Sequence, residues 1–548
     1  MSPAVRFQAE LTPGRFGDVA APVGLWRGPR ALAIASEVER LSWPGRSVDL
    51  GHKLRHRVSL YDPEGERRLG VFDRARFPIN DVAFHPTEPV AVIATGAYDG
   101  GYLFEGELWL WDWQYGDIRR LLSESREAVR CRWLDERRLA VLLRPRDEEE
   151  FAESDDDWER VAGLVVGVVL DDLRDIQDLG IRGAGLDPRL EGLEPIDPAT
   201  LGFDGGVPDF RVQRLAARES FQALGGGWRG RFWDALWLDG ERLAVCHDRC
   251  HVEVWNVDSG EVELHVSGDG YGVQLVQALG GVVVHVLGWT ASSTGEEDGV
   301  PDHSTLYRLR PDRLELLKRF DHAVSLTSDA AGHLLCRDTG SWSDRPRPRR
   351  DVVIDVDGAV RYEGDLVHFD SFNHPLRLDG ADGLYFLRGT PASSSGRKKL
   401  CCVTLDGEVY EMADWDGGER GEHLLSAAAV ALGPGSLVRG HEIFSSDLSR
   451  TDVVLERLDL AAAEPVRWSH PAFAAVTALR VARGRVFYAL TDGTLGVLDA
   501  QSGESLATLD LEVDGVPTLG LSLDIGGADG RSLAVGTADG RLLIYRLA

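Results

Sequence analysis

The stretch from Val476 to Leu511 constrains the fold more than any other part of the sequence, because it contains four short strands in succession. Each run is rich in Val, Leu, Phe and Tyr and is bounded by Gly or Asp turns, which is typical of β-strands. The four predicted strands, A to D, are Val476–Val481, Val486–Leu490, Leu495–Leu498 and Ser505–Leu511. One four-stranded meander cannot bury both of its faces, so it needs copies of itself as neighbours.

Copies of this unit can be placed along most of the 548 residues. The ten copies span Ala31–Phe72, Ile79–Leu122, Val129–Leu170, Ala235–Val266, Tyr271–Phe320, Val324–Tyr362, His374–Glu411, Leu424–Trp468, Val476–Leu511 and Thr518–Leu547. The last copy lacks a fourth strand, which residues 4–12 can supply, because Val5, Phe7, Ala9 and Leu11 alternate with polar residues. This pairing would close a ring and remove an exposed edge. The sequence therefore predicts an all-β fold, a β-propeller of about ten four-stranded antiparallel blades.

The segment Gly180–Arg231 separates the third copy from the fourth and decides the expected domain organisation. We expect one propeller domain over residues 1–548 with an insertion at 180–231, and the alternative is two propeller-like subdomains split near 181–232. Within the insertion, Ala216–Leu224 has a helical pattern. The run Gly225–Gly230 matches G-x-G-x-x-G, but it follows a predicted helix and precedes a predicted strand. This order is the reverse of a dinucleotide-binding fingerprint, so a flexible linker is predicted.

Short motifs near the ends of the C strands give a family resemblance. They are Trp111-Asp112 followed by Tyr115-Gly116-Asp117, the runs Trp255–Glu261 and Leu498–Glu504, and the A–B turn Phe84-His85-Pro86. These motifs resemble WD40-type repeats, and the resemblance implies a β-propeller. The vicinal pair Cys401-Cys402 also resembles the vicinal disulfide of quinoprotein propellers. Because those proteins are exported, we expect instead two buried thiols on opposite sides of a strand.

The formal net charge of −29 limits the range of partners. Bulk attraction to nucleic acid or to an anionic membrane is not expected, and a basic or neutral protein partner is favoured. The first ten residues lack the apolar core of a signal peptide, so the six cysteines predict reduced thiols and a cytoplasmic location. Because only four of the 60 basic residues are lysines, we expect a GC-rich, bacterial genome.

Long connections are concentrated on one face of the predicted propeller. In a four-stranded meander the B–C and D–A loops leave on one face, and the A–B and C–D loops on the other. The long ones are Glu37–His56, Ala97–Gly106, Arg144–Arg160, Gly288–Ser304, Arg337–Arg350, Thr390–Lys399, Arg439–Thr451 and the insertion Gly180–Arg231. All belong to the B–C/D–A face. Long loops on a rigid scaffold often carry function, although neutral drift is an alternative because loops tolerate insertions.

Charged and aromatic residues on these loops are the candidate contacts to a partner protein. The predicted partner-binding residues are Asp147, Glu148, Glu149, Glu150, Asp155, Asp156, Asp157, Trp158, Trp228, Trp289, Trp342, Arg345, Arg347, Arg349, Arg350, Arg397, Lys398 and Lys399. Aromatic and Arg side chains dominate interface energetics. We therefore predict a non-catalytic scaffold or adaptor, with an effector or enzyme encoded nearby as the candidate partner. Solvated loops without a partner are the alternative, and a nucleic-acid site at Arg345–Arg350 is disfavoured.

Motifs for catalysis and cofactor binding are weak, and we predict no catalytic residue and no cofactor. Cys246, His247, Cys250 and His251 have a spacing that could hold a metal, but an ordinary β-hairpin is expected at this position. The alternative function is an enzyme or small-ligand sensor with a site at the channel mouth, to which His85, His374 and Asp524 could contribute. Such a site would need ionisable groups that converge from several blades.

Overall fold

A computed structural model describes most of the chain, which is built almost entirely from antiparallel β-sheets. The described residues are 5–12, 14–38, 41–43, 46–48, 56–98, 104–122, 125–144, 165–169, 210–288, 303–339, 350–366, 376–390, 397–415, 423–444 and 451–548. Two compact units are present. The smaller unit comprises Gly14–Glu39 and Gly51–Trp228, and the larger one Met1–Pro13, Arg40–Leu50 and Arg229–Ala548.

The larger unit contributes the first strand, β1 (Val5–Glu10), and the smaller unit then provides three sheets and a helix. The first sheet contains β2 (Ala21–Arg27), β3 (Leu32–Glu37), β6 (His56–Tyr61) and β7 (Arg68–Phe72). Between β3 and β6 in the chain comes the hairpin of β4 (Leu41–Trp43) and β5 (Arg46–Val48), which belongs to the larger unit. The second sheet contains β8 (Ile79–Phe84), β9 (Val90–Tyr98), β10 (Phe104–Asp112) and β11 (Asp117–Arg120). The third has β12 (Ala128–Trp133), β13 (Arg138–Leu143) and β14 (Val165–Val169), and α1 (Phe210–Ala223) follows.

Seven sheets of three or four strands make up the described part of the larger unit. Four are β15 (Phe232–Trp237), β16 (Arg242–His247), β17 (Cys250–Asn256) and β18 (Glu261–Val266); β19 (Tyr271–Ala278), β20 (Gly281–Gly288), β21 (His303–Leu309) and β22 (Leu314–Phe320); β23 (Val324–Ser328), β24 (Leu334–Asp338), β25 (Asp351–Ile354) and β26 (Val360–Gly364); and β27 (Leu384–Thr390), β28 (Arg397–Val403) and β29 (Val409–Asp414).

The remaining three sheets complete the larger unit. They are β30 (His423–Gly433), β31 (Ser436–Phe444), β32 (Thr451–Asp459) and β33 (Val466–Ala472); β34 (Val476–Ala482), β35 (Arg485–Leu490), β36 (Thr494–Asp499) and β37 (Ser505–Asp510); and, after the hairpin of β38 (Glu512–Val513) and β39 (Val516–Pro517), β40 (Gly520–Gly526), β41 (Ser532–Thr537) and β42 (Leu542–Leu547) with β1. The expected all-β architecture of four-stranded antiparallel propeller blades is confirmed.

The predicted pairing of the N-terminal strand with the last sheet is also confirmed. Strand β1 pairs antiparallel with β42, with Val5 opposite Leu547. Within the larger unit, successive sheets pack face to face through apolar clusters in chain order. The last sheet packs against β15–β18, where Leu542 and Ile544 join Phe232 and Trp237 in one core. The single ring of ten blades and the extent of the domain remain predictions.

A recurring turn explains the motifs that end several C strands. The carbonyls of Asp112, Asn256 and Asp499 accept hydrogen bonds at 2.9 Å from the amides of Gly116, Gly260 and Gly503, respectively. Side-chain oxygens of the same Asp and Asn residues accept bonds from backbone amides two or three positions later. These glycines have φ near +75°, a conformation that side chains disfavour. An Asp or Asn followed by Gly is therefore the chemistry that this turn requires.

Carboxylates on the A strands join neighbouring sheets. Asp81 accepts a hydrogen bond at 2.9 Å from the Cys131 amide in the smaller unit. In the larger unit, Asp234 accepts one at 2.7 Å from the Leu275 amide of the next sheet. Asp524 likewise accepts one at 2.7 Å from the Trp237 amide. Each bond satisfies a backbone donor of the adjacent sheet, so it fixes the spacing between sheets as well as satisfying the buried group.

Among the described residues, no helix has the length and apolar character needed to cross a membrane.

Candidate functional site

An open cleft of about 920 Å³ lies in the larger unit and is formed by three successive sheets, β15–β18, β19–β22 and β23–β26. Its lining is rich in aromatic, basic and His side chains. The lining residues are His251, Gly268, Asp269, His303, Thr305, Tyr307, Lys318, Arg319, Phe320, Asp321, His322, Arg350, Val352 and Glu363. Because these residues come from three sheets, the cleft is formed by the packing of the sheets and not by one sequence motif.

Strand β22 divides the lining of the cleft into two sides. In the β21–β22 hairpin, Leu306 is opposite Lys318, and Thr305 is opposite Arg319. Because successive strand residues point to opposite faces, Lys318 and Arg319 lie on different sides of the sheet. Leu306 belongs to the core shared with β23–β26, so Lys318 is on that side and Arg319 faces the side of β15–β18.

The side of the cleft toward β15–β18 is built from a stacked pair of rings. The imidazole of His251 lies 5.9 Å from the ring of Tyr307 with an interplanar angle of 23°. A second contact holds the imidazole, because His251 Nε2 is 2.9 Å from the Asp269 carbonyl oxygen. Burial lowers the pKa of His251. His251 is only 7% exposed and Tyr307 is half-buried, so the neutral ring pair forms an aromatic wall of which only part faces the cleft.

The side toward β23–β26 carries a chain of charged contacts. His322 Nδ1 lies 2.8 Å from Asp321 Oδ1, and Arg350 Nη2 lies 2.5 Å from the same oxygen. The hydrogen bond with His322, together with Arg350, lowers the pKa of the Asp321 carboxyl. The ring of His322 also contacts Phe320 at 5.6 Å. This arrangement fixes the guanidinium of Arg350 at the edge of the cleft.

Lys318 and Arg319 are the cations of the cleft that are available for a ligand. The ammonium group of Lys318 lies 5.3 Å from the centre of the Phe320 ring. Within the described ranges, neither Lys318 nor Arg319 forms an ion pair. Both can therefore attract an anionic group without first breaking an internal salt bridge among these residues.

The position of the cleft coincides with the long-loop face. His303 begins β21 directly after the B–C connection, and Phe320 ends β22 before the D–A connection. Arg350 lies immediately before β25, the C strand of the next sheet. The cleft therefore lies at the end of the sheets from which the elongated loops depart.

Most of the predicted partner-binding residues lie outside the described residues. These are Asp147, Glu148, Glu149, Glu150, Asp155, Asp156, Asp157, Trp158, Trp289, Trp342, Arg345, Arg347 and Arg349. Of the others, Arg350 lines the cleft. Lys399 pairs with Glu411 at 2.6 Å, whereas Lys398 is only 2% exposed. Arg397 begins β28. Contact with a partner remains a prediction for all of them, and among the described side chains it rests on Arg350, Lys399 and Trp228.

Trp228 lies beside helix α1 in the smaller unit. Its ring is 6.1 Å from Phe221, and the Arg218 guanidinium is 5.8 Å from the indole ring. Phe221 is fully buried and also contacts Phe16 at 5.1 Å. The predicted helix is present but begins at Phe210, six residues before its predicted start at Ala216. Trp228 is half-buried here, so part of its ring remains on the surface.

The run from Cys246 to His251 forms the expected hairpin, with His247 opposite Cys250. Asp248 in the turn accepts bonds from Arg231 at 2.8 Å and from the Trp233 indole at 2.7 Å. All six cysteines are free thiols, and burial raises the pKa of Cys246 and Cys250. No group of three or more potential metal ligands occurs in the described part of the chain. The hydrogen bonds of Asp248 therefore stabilise the hairpin and its neighbours.

Charged contacts in the larger unit link residues of the A strands β15, β34 and β40 and of the segment 376–379, and they are called the charged network here. Arg377 Nη2 lies 2.6 Å from Asp234 Oδ2, and Arg377 Nε lies 2.8 Å from Asp379 Oδ2. Arg480 Nε lies 3.3 Å from Asp524 Oδ1. Asp524, a candidate for a channel-mouth site, is therefore paired with a cation. Of the other two candidates, His85 belongs to the smaller unit, where its Nε2 is 2.8 Å from the Glu136 carbonyl oxygen, and His374 lies outside the described residues.

Comparisons with known proteins add a likeness of fold. Neither the protein-family models nor the curated proteins gave a match. Among solved structures, the chain is similar to the computationally designed Ika8 protein, with 14% identity, a TM-score of 0.37, and coverage of 59% of this chain and 98% of that one. It is also similar to the WD40 β-propeller domain of Doa1, with 14% identity, a TM-score of 0.38, and coverage of 58% and 93%. The fold assignment rests on the sheets described above.

Proposed function

We propose that this chain is a non-catalytic scaffold of the bacterial cytoplasm that binds a partner protein through its B–C/D–A loop face. The observation that supports this function is the cleft beside β22, which opens where the elongated loops leave the sheets. The walls of the cleft are parts of packed sheets, so they would be preorganised for binding a partner. The proposed partner is another protein, such as an effector or enzyme encoded nearby.

The composition of the cleft favours protein recognition. Interface cores are enriched in aromatic and Arg residues, and these side chains contribute most of the binding energy. The cleft combines Tyr307, Phe320 and Arg350 with Lys318 and Arg319, two cations that form no ion pair with any residue in the described ranges. It opens to solvent along the sheet ends, which suits a segment of a larger molecule.

The first experiment is affinity capture with the tagged protein from its native cells. Changing Arg345, Arg347, Arg349 and Arg350 to Glu should lower the recovery of the partner about tenfold, because reversed charges repel the surface that the arginines attract. Capture by the unchanged protein should also fall in about 0.5 M salt, where surface charges are screened. Quantitative mass spectrometry measures the amount of partner recovered with the variant and with the unchanged protein.

A matched control carries four reversals of the same charge on A–B and C–D connections. Arg137, Arg313, Arg483 and Arg531 are exposed residues of the described A–B and C–D connections. Reversing these four to Glu should leave the recovery of the partner unchanged. Equal losses for both variants would show a general charge effect and would contradict docking on the loop face.

The second candidate function is an enzyme or small-ligand sensor at the channel mouth. The charged network around Arg377 and Asp524 is the observation that bears on it. Asp234 and Asp524 each accept a backbone amide of an adjacent sheet, and each also contacts an arginine. Both carboxylates thus already bind groups of the protein itself, which favours a structural role for this network over catalysis.

A further inference from the structure

Strand β22 has an open edge inside the cleft. In the described part of the chain, β22 is the outermost strand of its sheet and pairs only with β21. The edge of a sheet presents backbone N–H and C=O groups that can pair with another strand. The last residues of β22, Lys318, Arg319 and Phe320, all line the cleft. An extended segment in the cleft would therefore lie next to unpaired main-chain groups.

The two sides of the cleft match the geometry of such a segment. Side chains of a strand alternate between two faces, so a strand added to β22 would direct alternate side chains to the two sides of the sheet. On one side they would meet Tyr307 and the stacked His251. On the other side they would meet Phe320 and His322. Because His251, Phe320 and His322 are largely buried, aromatic side chains of an added strand would contact the exposed edges of these rings and of Tyr307.

Each side of the cleft also carries a cation that could pair with an acidic residue of the segment. Lys318 lies on the side of β23–β26, and Arg319 lies on the side of β15–β18. Neither cation is paired with a carboxylate of the described residues, as stated above. Two adjacent acidic residues in an added strand would point to opposite sides, so one would reach Lys318 and the next would reach Arg319.

We propose that β22 binds an extended acidic segment of a partner protein as an added strand, with acidic residues at Lys318 and Arg319 and aromatic residues against Tyr307 and Phe320. This inference rests on the proposed function and names the chemistry that the partner presents. Main-chain hydrogen bonds to β22 supply affinity, and the two charged aromatic sides supply specificity.

The test uses a fluorescein-labelled octapeptide, Glu-Glu-Phe-Tyr-Glu-Glu-Phe-Tyr, with the full-length protein. Fluorescence anisotropy should show saturable binding, and the same peptide with Lys in place of Glu should not bind. The double variant Lys318→Glu/Arg319→Glu should weaken binding by about tenfold or more. The matched control is Arg119→Glu/Arg120→Glu, which reverses two successive cations on the outer strand β11 and should bind as the unchanged protein does.

Backbone methylation separates strand addition from simple charge attraction. N-methyl groups at alternate residues of a strand remove the donors on one edge only. Of two octapeptides methylated at the odd or the even positions, one should lose binding about tenfold or more and the other should retain it. Equal affinity of both peptides, equal loss with both, or no effect of the Lys318 and Arg319 reversals would overturn the proposal.

The capture experiment distinguishes failure of this inference from failure of the proposed function. A protein that captures its partner through the loop face but fails to bind the acidic octapeptide would retain the scaffold function and refute strand addition at β22. Loss of loop-dependent capture together with selective peptide binding would refute the loop-face scaffold and retain β22 as a peptide site.

Discussion

Replacing Arg377 by alanine is expected to lower the free energy of unfolding of the larger unit by about 3–5 kcal/mol, the cost of leaving a buried carboxylate without its cation. Asp234 is 1% exposed and lies 2.6 Å from the guanidinium. Burial alone would lower the pKa of Arg377, but the charges of Asp234 and Asp379 raise it, so the guanidinium is charged. Chemical denaturation of the variant and the unchanged protein measures the difference.

Two further variants show whether the loss comes from the broken buried pair. Arg377→Met combined with Asp234→Asn removes both charges, and it should be clearly more stable than Arg377→Ala alone. Arg467→Ala breaks an exposed pair with Asp459 and should cost less than about 1 kcal/mol. An Arg377→Ala protein within 1 kcal/mol of the unchanged one would contradict the assigned role of this pair.

Changing Glu253 to Gln is expected to destabilise the sheet β15–β18 in a pH-dependent manner. Burial would raise the pKa of Glu253, but hydrogen bonds and charges from His247, Arg229 and His265 lower it to about 2. The indole of Trp255 donates another hydrogen bond to this carboxylate at 3.0 Å. A depression from 4.5 to about 2 corresponds to about 3 kcal/mol of stability.

The sign of the pH effect follows from the lowered pKa. The stabilisation by Glu253 is fully present above pH 4.5, and it is lost as the pH falls from 4.5 through about 2. Urea denaturation at pH 7 should show a gap of about 3 kcal/mol between Glu253→Gln and the unchanged protein, and the gap should narrow at pH 3. Glu261→Gln, at an exposed position of the same sheet, should give no comparable gap. A gap that stays constant between the two pH values would argue against ionisation of Glu253 as its source.

The sheets could be predicted from the sequence because each strand is short and ends at a turn with its own chemistry. The predicted strands Val476–Val481 and Val486–Leu490 agree to within one residue with β34 and β35. Between them, Arg483 and Gly484 have positive φ, which is not a strand conformation and marks the turn. The first strand of the seventh copy, predicted to begin at His374, is not found among the described residues. The described residues from Leu376 to Asp379 form no strand, and the sheet β27–β29 has three strands.

Apart from Arg350, the residues of the cleft could not be predicted as parts of one binding site, because no local pattern distinguishes them. His251, Tyr307 and His322 belong to three different sheets, and only the packing of those sheets brings them together. Phe320 has the same strand periodicity as any core residue. Long loops, by contrast, interrupt the regular spacing of the repeat and can therefore be recognised in the sequence. Arg350 was identified for this reason, as the last residue of a basic loop that leads into β25.

The pairing of β1 with β42 imposes an order of events on biosynthesis. Thr12 receives a hydrogen bond from the Leu542 amide, although 530 positions separate them. Because β1 precedes β42 in the chain, it leaves the ribosome earlier and cannot pair until β42 has also been made. Six sheets of the larger unit, β15 to β37, need no such wait, because their strands are consecutive in the chain. The entropic cost of closing a flexible loop grows by about 0.6 kcal/mol for each doubling of its length. Joining these two distant strands therefore costs only a few kcal/mol more than closing a short hairpin, so the main consequence of their separation is the delay.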